Sequence, residues 1–137
     1  MAGTIAALQK TLEDTIKAFN GRKFDEVKRH LAANLTVTPL RVRPSFKRNP
    51  TAVTYAGDKA RESLHDQFID HAQFLDEKYT IDPPKGEATK ATIKGTATWK
   101  DDNGTDKLEF NFVCVFDDHK KSWLFETVSA SVVGEKT

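Results

Sequence analysis

The residue in this 137-residue chain with the clearest capacity for chemistry is His71. In helical phase it falls with Leu64, Phe68 and Leu75, so a helix through this stretch turns its imidazole inward. A neutral imidazole held there is an acid, a base or a hydrogen-bond donor to a ligand. A core histidine bonded to a backbone carbonyl fits the same pattern. His65 lies toward the edge of that face. Tyr55 is the companion candidate, a phenol at a pocket mouth that assists proton transfer or simply packs.

Other polar residues carry weaker signals. Glu126 shares strand parity with Leu124, Val128 and Ala130, and a carboxylate among them needs a cationic partner or a proton. A rim or interface salt bridge answers that need as well as a functional role does. Asp14 points away from the apolar stripe of its helix and reads as a surface charge. Cys114 alternates with Phe112 and Phe116, which makes it a small buried hydrophobe with no base beside it. Between Pro39 and Ala52 stand Arg41, Arg43, Lys47 and Arg48 with no acidic residue. Arg41 and Arg43 suit a ligand carboxylate or phosphate, although a solvated basic loop has the same composition. Phe46 is the one aromatic there, too few for a stacking surface on single-stranded nucleic acid. His30, His71 and His119 fall on separate elements, and no zinc or iron spacing occurs, so neither metal nor cofactor is expected.

The elements that must position these groups follow from periodicity. Ile5, Leu8, Leu12, Ile16 and Phe19 form one stripe of a helix started by Thr4 and stopped at Asn20-Gly21. Phe24, Val27 and Leu31 predict a short second helix, and Leu35 to Thr38 a strand ended by Pro39. Prolines at 39, 44 and 50 break the next stretch, with Leu40 to Arg43 a possible edge strand. Val53 to Tyr55 is a short strand, and Asp58 caps a third helix with Ala60, Leu64, Phe68, His71 and Leu75 on one side. Strands follow at Tyr79 to Ile81, Ala91 to Lys100, Leu108 to Phe116 and Trp123 to Val133, with Asp102-Asn103-Gly104 a hairpin turn.

The last two strands carry apolar residues on both parities: Phe112 and Cys114 against Val113 and Val115, then Trp123 and Phe125 against Leu124, Val128 and Ala130. A sheet covered on one side shows a polar outer face, so a second copy of the chain is expected on the convex face. Local curvature that buries the strand ends is the alternative. Trp99, Phe112, Trp123 and Phe125 are expected to wall a pocket or the core.

Composition sets the outer limits. Hydrophobic residues at 38% and charged residues at 30% describe a globule in water, and a net charge of +1 gives no general attraction for nucleic acid or an anionic membrane. One cysteine excludes an internal disulfide. The first ten residues lack a basic-then-apolar leader pattern and no apolar run is long enough to span a bilayer, so the cytoplasm is the expected location. Residues 1–137 are expected to form one domain.

The order of elements resembles the nuclear transport factor 2-like superfamily, which includes SnoaL-like cyclases and ketosteroid isomerases. Four local stretches carry the likeness: Ala18-Phe19-Asn20-Gly21 leading to Phe24-Asp25-Glu26-Val27, Leu35-Thr36-Val37, Tyr55-Ala56-Gly57, and Lys121-Ser122-Trp123. The resemblance implies an α+β cone, a curved antiparallel sheet (half-barrel) wrapped around three helices with a pocket inside, and often a homodimer. It also implies where an isomerase would keep its machinery: a carboxylate base near Pro39, a tyrosine near Thr15 and an acidic donor near Phe112. None of these residues has that chemistry. Because this fold hosts many functions, two readings stay open. One is a domain without chemistry that binds a small hydrophobic molecule or associates with its own kind. The other is a SnoaL-like lyase, cyclase or isomerase using His71 and Tyr55.

Overall fold

The computed structural model describes residues 2–42 and 47–133. In chain order its elements are β1 (Gly3–Thr4), α1 (Ile5–Asn20), α2 (Phe24–Lys28), β2 (Leu31–Thr38), β3 (Arg41–Val42), β4 (Lys47–Arg48), β5 (Tyr55–Ala56), α3 (Asp58–Ile69), β6 (Gln73–Asp82), β7 (Glu87–Ala88), β8 (Lys90–Asp101), β9 (Gly104–Asp117) and β10 (Ser122–Val132). The apolar stripe makes α1: Ile5, Leu8, Leu12 and Ile16 are buried, and the Thr4 hydroxyl accepts the Ala7 N–H at 3.1 Å. The Gly21 N–H donates to the Lys17 carbonyl and closes the helix.

Six strands form the main sheet in the order β5-β2-β10-β9-β8-β6. It is mixed rather than wholly antiparallel, since β2 runs parallel to β10. The chain between those two strands traverses a helix and the rest of the sheet, and so returns in the same direction. Strands β1 and β7 pair separately, as do β3 and β4, so the strand expected at Leu40 to Arg43 is one arm of a small hairpin outside the main sheet.

The inner face is read from register. Ala91, Ile93, Gly95 and Ala97 of β8 stand opposite Cys114, Phe112, Phe110 and Leu108 of β9, and all but the glycine are buried side chains in the same core as the α1 stripe. Two irregularities bend this surface around the helices. In β10, Phe125 pairs with Cys114 and Thr127 with Val113, so Glu126 is an extra residue with no partner. In β6 the register jumps between Leu75 and Lys78, where Asp76 takes a left-handed φ of 54°. Gly95 lies against this second bulge, and a Cβ there would overlap the Lys78 carbonyl.

Three expectations need correction. Helix α2 ends at Lys28, and Leu31 opens β2 opposite Phe125. Helix α3 ends at Ile69, because the chain reverses at once: the Ala72 N–H returns to the Gln67 carbonyl at 3.0 Å and His71 has φ 55°. Leu75 therefore belongs to β6, and the buried side of α3 is Ala60, Ser63 and Gln67, with Leu64 and Phe68 only half-buried. The third concerns the apolar outer face of β10. The extra residue shifts parity, so Val128, Ala130 and Val132 stand opposite Phe112, Phe110 and Leu108 on the inner side, and the outer side carries Thr127, Ser129 and Ser131.

Candidate functional site

Helix α1 and the inner sheet face enclose an apolar cavity of about 100 Å³. Leu12, Ile16 and Phe19 bound it on the helix side and Trp99, Phe112 and Phe125 on the sheet side, with Val128 and Ala130 beside them. Two of its lining residues carry a polar side-chain group, Trp99 with its indole N–H and Thr15 with a hydroxyl that donates to the Thr11 carbonyl at 2.7 Å. The space is smaller than the roughly 150 Å³ apolar cavity known to stay dry and to take benzene or xenon. It is well below the 300–1,000 Å³ or so of ordinary drug-sized sites.

Of the four aromatic residues expected to wall a pocket, Trp99, Phe112 and Phe125 meet at this cavity. Trp123 does not. It is 1% exposed, packs on Phe116 and donates its indole N–H to the Thr4 carbonyl at 3.0 Å, which ties the N-terminal strand to the sheet.

His71 lies outside. Its side chain is 72% exposed, and Nδ1 stands 2.8 Å from the exposed Asp102 carboxylate. The inward orientation expected of it required α3 to continue through residue 71, and the chain turn removes that. Tyr55 lines a different space, a polar niche of about 190 Å³ between α3 and the strands β3 and β5. Arg41, Lys59, Ser63 and Gln67 share this niche with it.

Arg41 is not a free cation for a ligand carboxylate. Only 8% exposed, it donates Nε to Asp101 at 2.5 Å and Nη2 to Asp106 at 2.6 Å, and Asp106 also pairs with Arg48. The Trp99 indole N–H donates to Asp101 as well, at 2.7 Å, so the polar edge of this ring leaves the apolar cavity for the buried ion cluster. The acids that hold Arg41 come from the β8–β9 hairpin, remote in sequence from the acid-free loop. Arg43, the second guanidinium expected to hold an anion, falls outside the described residues.

The remaining polar groups are placed as follows. Burial, reinforced by Asp101, raises the Asp70 carboxyl above its ordinary value, while the Asn103 amide donates to both its oxygens at 2.9 and 3.1 Å. Burial pushes the Cys114 thiol up to about 12, so it stays protonated at neutral pH. Glu126 lies 3.8 Å from Lys90 and accepts the Asn34 amide at 3.4 Å, the salt-bridge arrangement. His30 carries a buried Nδ1 without a hydrogen bond, and desolvation lowers its pKa against the pull of Asp14. Among the described residues no group of three or more His, Cys, Asp or Glu is arranged to hold a metal ion, and no helix is long and apolar enough to cross a membrane.

Gln67 escaped the sequence reading. Its signal was the Ala60, Ser63, Gln67 spacing of three and four, a small-and-polar stripe beside the more obvious apolar one.

No protein-family model and no curated protein matches this sequence. Solved structures do match in shape. An NTF2-like protein of unknown function from Pseudomonas putida superposes with a TM-score of 0.69 at 9% identity, covering 92% of this chain and 84% of that one. A ketosteroid isomerase-like protein from Erwinia carotovora atroseptica gives 0.64 at 16% identity, covering 94% and 95%. A nominal calcium/calmodulin dependent protein kinase II association domain from Xanthomonas campestris gives 0.67 at 17% identity, covering 96% and 86%. The chain therefore has the nuclear transport factor 2-like cone fold, also called cystatin-like, with a six-stranded curved sheet around three helices. At these identities the likeness extends to the fold alone.

Proposed function

We propose that this protein is a non-catalytic binding domain that holds a small hydrophobic molecule between α1 and the inner sheet face. The observation that carries this reading is the cavity wall, whose polar side-chain groups, the Thr15 hydroxyl and the Trp99 indole N–H, are both already spent within the protein. General acid–base chemistry needs a proton-transferring group within hydrogen-bond reach of the substrate. The exposure of His71 and the position of Tyr55 at the niche favour binding over the lyase, cyclase or isomerase alternative. Half-buried Phe19 and Leu64 are the wall side chains that yield to ligands larger than the cavity.

Thermal unfolding with benzene, toluene or indole tests this. At least one probe raises the melting temperature, Ala130→Leu fills the cavity and removes the rise, and His71→Ala leaves it unchanged. No response to any probe, or a response lost in His71→Ala, contradicts the reading.

Homodimerisation through the convex face is a second reading, supported by the name of the Xanthomonas structure, an association domain. Val113 and Val115, both half-buried on the outer side, are the apolar residues it would use. Light scattering that finds a monomer at high micromolar concentration removes it.

A further inference from the structure

We propose that the niche between α3 and the strands β3 and β5 is a binding site for a small neutral molecule bearing a primary carboxamide. The inference is independent of the apolar cavity and starts from Gln67, which is 2% exposed and lines the niche. Its Nε2 donates to the Ser63 carbonyl at 3.2 Å and the Arg41 carbonyl at 3.4 Å. Those two acceptors fix the orientation of the amide, since a flip would set oxygen against oxygen. Oε1 is then buried with no hydrogen-bond partner. An acceptor left so is costly, and its natural complement is an N–H donor brought by a ligand.

Arg41 supplies the opposite half. Asp101 and Asp106 take its Nε and Nη2, and among the described residues the Nη1 amino group has no acceptor, so it is the group to donate to a ligand. A primary carboxamide carries both functions on one planar group, an N–H for Gln67 and a carbonyl oxygen for Arg41. Ser63, 7% exposed, adds a hydroxyl, and Tyr55 and Lys59 complete the wall.

Charge selects a neutral ligand over a carboxylate. The guanidinium groups of Arg41 and Arg48 pair with the carboxylates of Asp101 and Asp106, and Lys59 faces the niche together with two further carboxylates, Glu62 and Asp66. An anion entering this space gains no net countercharge for its lost hydration. A volume of about 190 Å³ admits a molecule of several heavy atoms.

The test is a titration of the full chain with acetamide and propionamide, followed by amide resonances, with acetate as the isosteric anion. Saturable shifts are expected at Arg41, Ser63 and Gln67 with the carboxamides and not with acetate. Gln67→Met, which keeps the side-chain length and removes the acceptor, weakens binding by about tenfold or more. Should that variant fail to fold, Tyr55→Phe and Lys59→Ala report instead, and at least one weakens carboxamide binding. The proposal is overturned by any of three results: no saturable shift, tighter binding of acetate, or wild-type affinity in the folded variants. A crystal soaked in acetamide that shows only an ordered water on Gln67 Oε1 also overturns it.

Discussion

Phe125 and Val128, three residues apart on β10, point to the same side of the sheet and both line the apolar cavity. Regular alternation would put them on opposite faces. Glu126 makes the difference: it occupies the bulge, turns its carboxylate to Lys90 and Asn34, and moves the rest of the strand by one position. Position 126 is thus an inserted residue that the bulge absorbs, and its charge is secondary to that. Glu126→Ala is expected to cost less than about 1 kcal/mol in urea unfolding, as for partly exposed pairs in general. Deletion of Glu126 removes the bulge and sets Thr127 directly after Phe125 in regular alternation, so Val128 and Ala130 still face inward and the variant is expected to unfold cooperatively. A deletion variant that no longer unfolds cooperatively would refute this reading of the register.

The second expectation concerns Arg41. Its guanidinium neutralises Asp101 and Asp106 in a buried position, so Arg41→Met leaves two carboxylates with less compensation. Breaking a buried pair from one side costs about 3–5 kcal/mol. Denaturant unfolding should find a loss of that order, with the midpoint lowered and the slope unchanged. A loss under about 1 kcal/mol would mean that the cluster is hydrated.

Stability should also depend on His30 in a particular pH window. Desolvation lowers its folded-state pKa below the ordinary 6.5, so on acidification the unfolded chain takes the proton first. The contribution is therefore complete above 6.5 and is lost as pH falls through that value toward the lower folded pKa. Between pH 8 and 5 the parent should lose more stability than His30→Gln, the two curves converging at the acid end. Parallel curves would contradict it.

Much of the architecture was legible because one-dimensional periodicity is a direct image of one buried face. The α1 stripe, the β8 alternation and the Asn103-Gly104 turn all read straight from the chain. Two of the differences share a cause, a period extended past a point where tertiary contacts interrupt it. His71 looked internal because the α3 pattern continues in sequence beyond the chain reversal at Asp70. Val128, Ala130 and Val132 looked external because the period was carried through Glu126, which stands without a partner, and of the apolar residues expected outside on β10 only Leu124, which precedes the bulge, stays there. Arg41 looked like an uncompensated cation because its counter-charges, Asp101 and Asp106, lie 60 and 65 residues away. Gln67 went unnoticed for a related reason, since a buried amide with one unmet atom has no signature in periodicity.

The proposed ligand space between α1 and the sheet is apolar and is expected to be dry, and xenon is the simplest probe of it. In crystals pressurised with xenon, density is expected between α1 and the sheet, bounded by Leu12, Trp99, Phe112 and Phe125, and lost in Ala130→Leu. Ordered water hydrogen-bonded within that space, or xenon confined to other sites, would contradict the account.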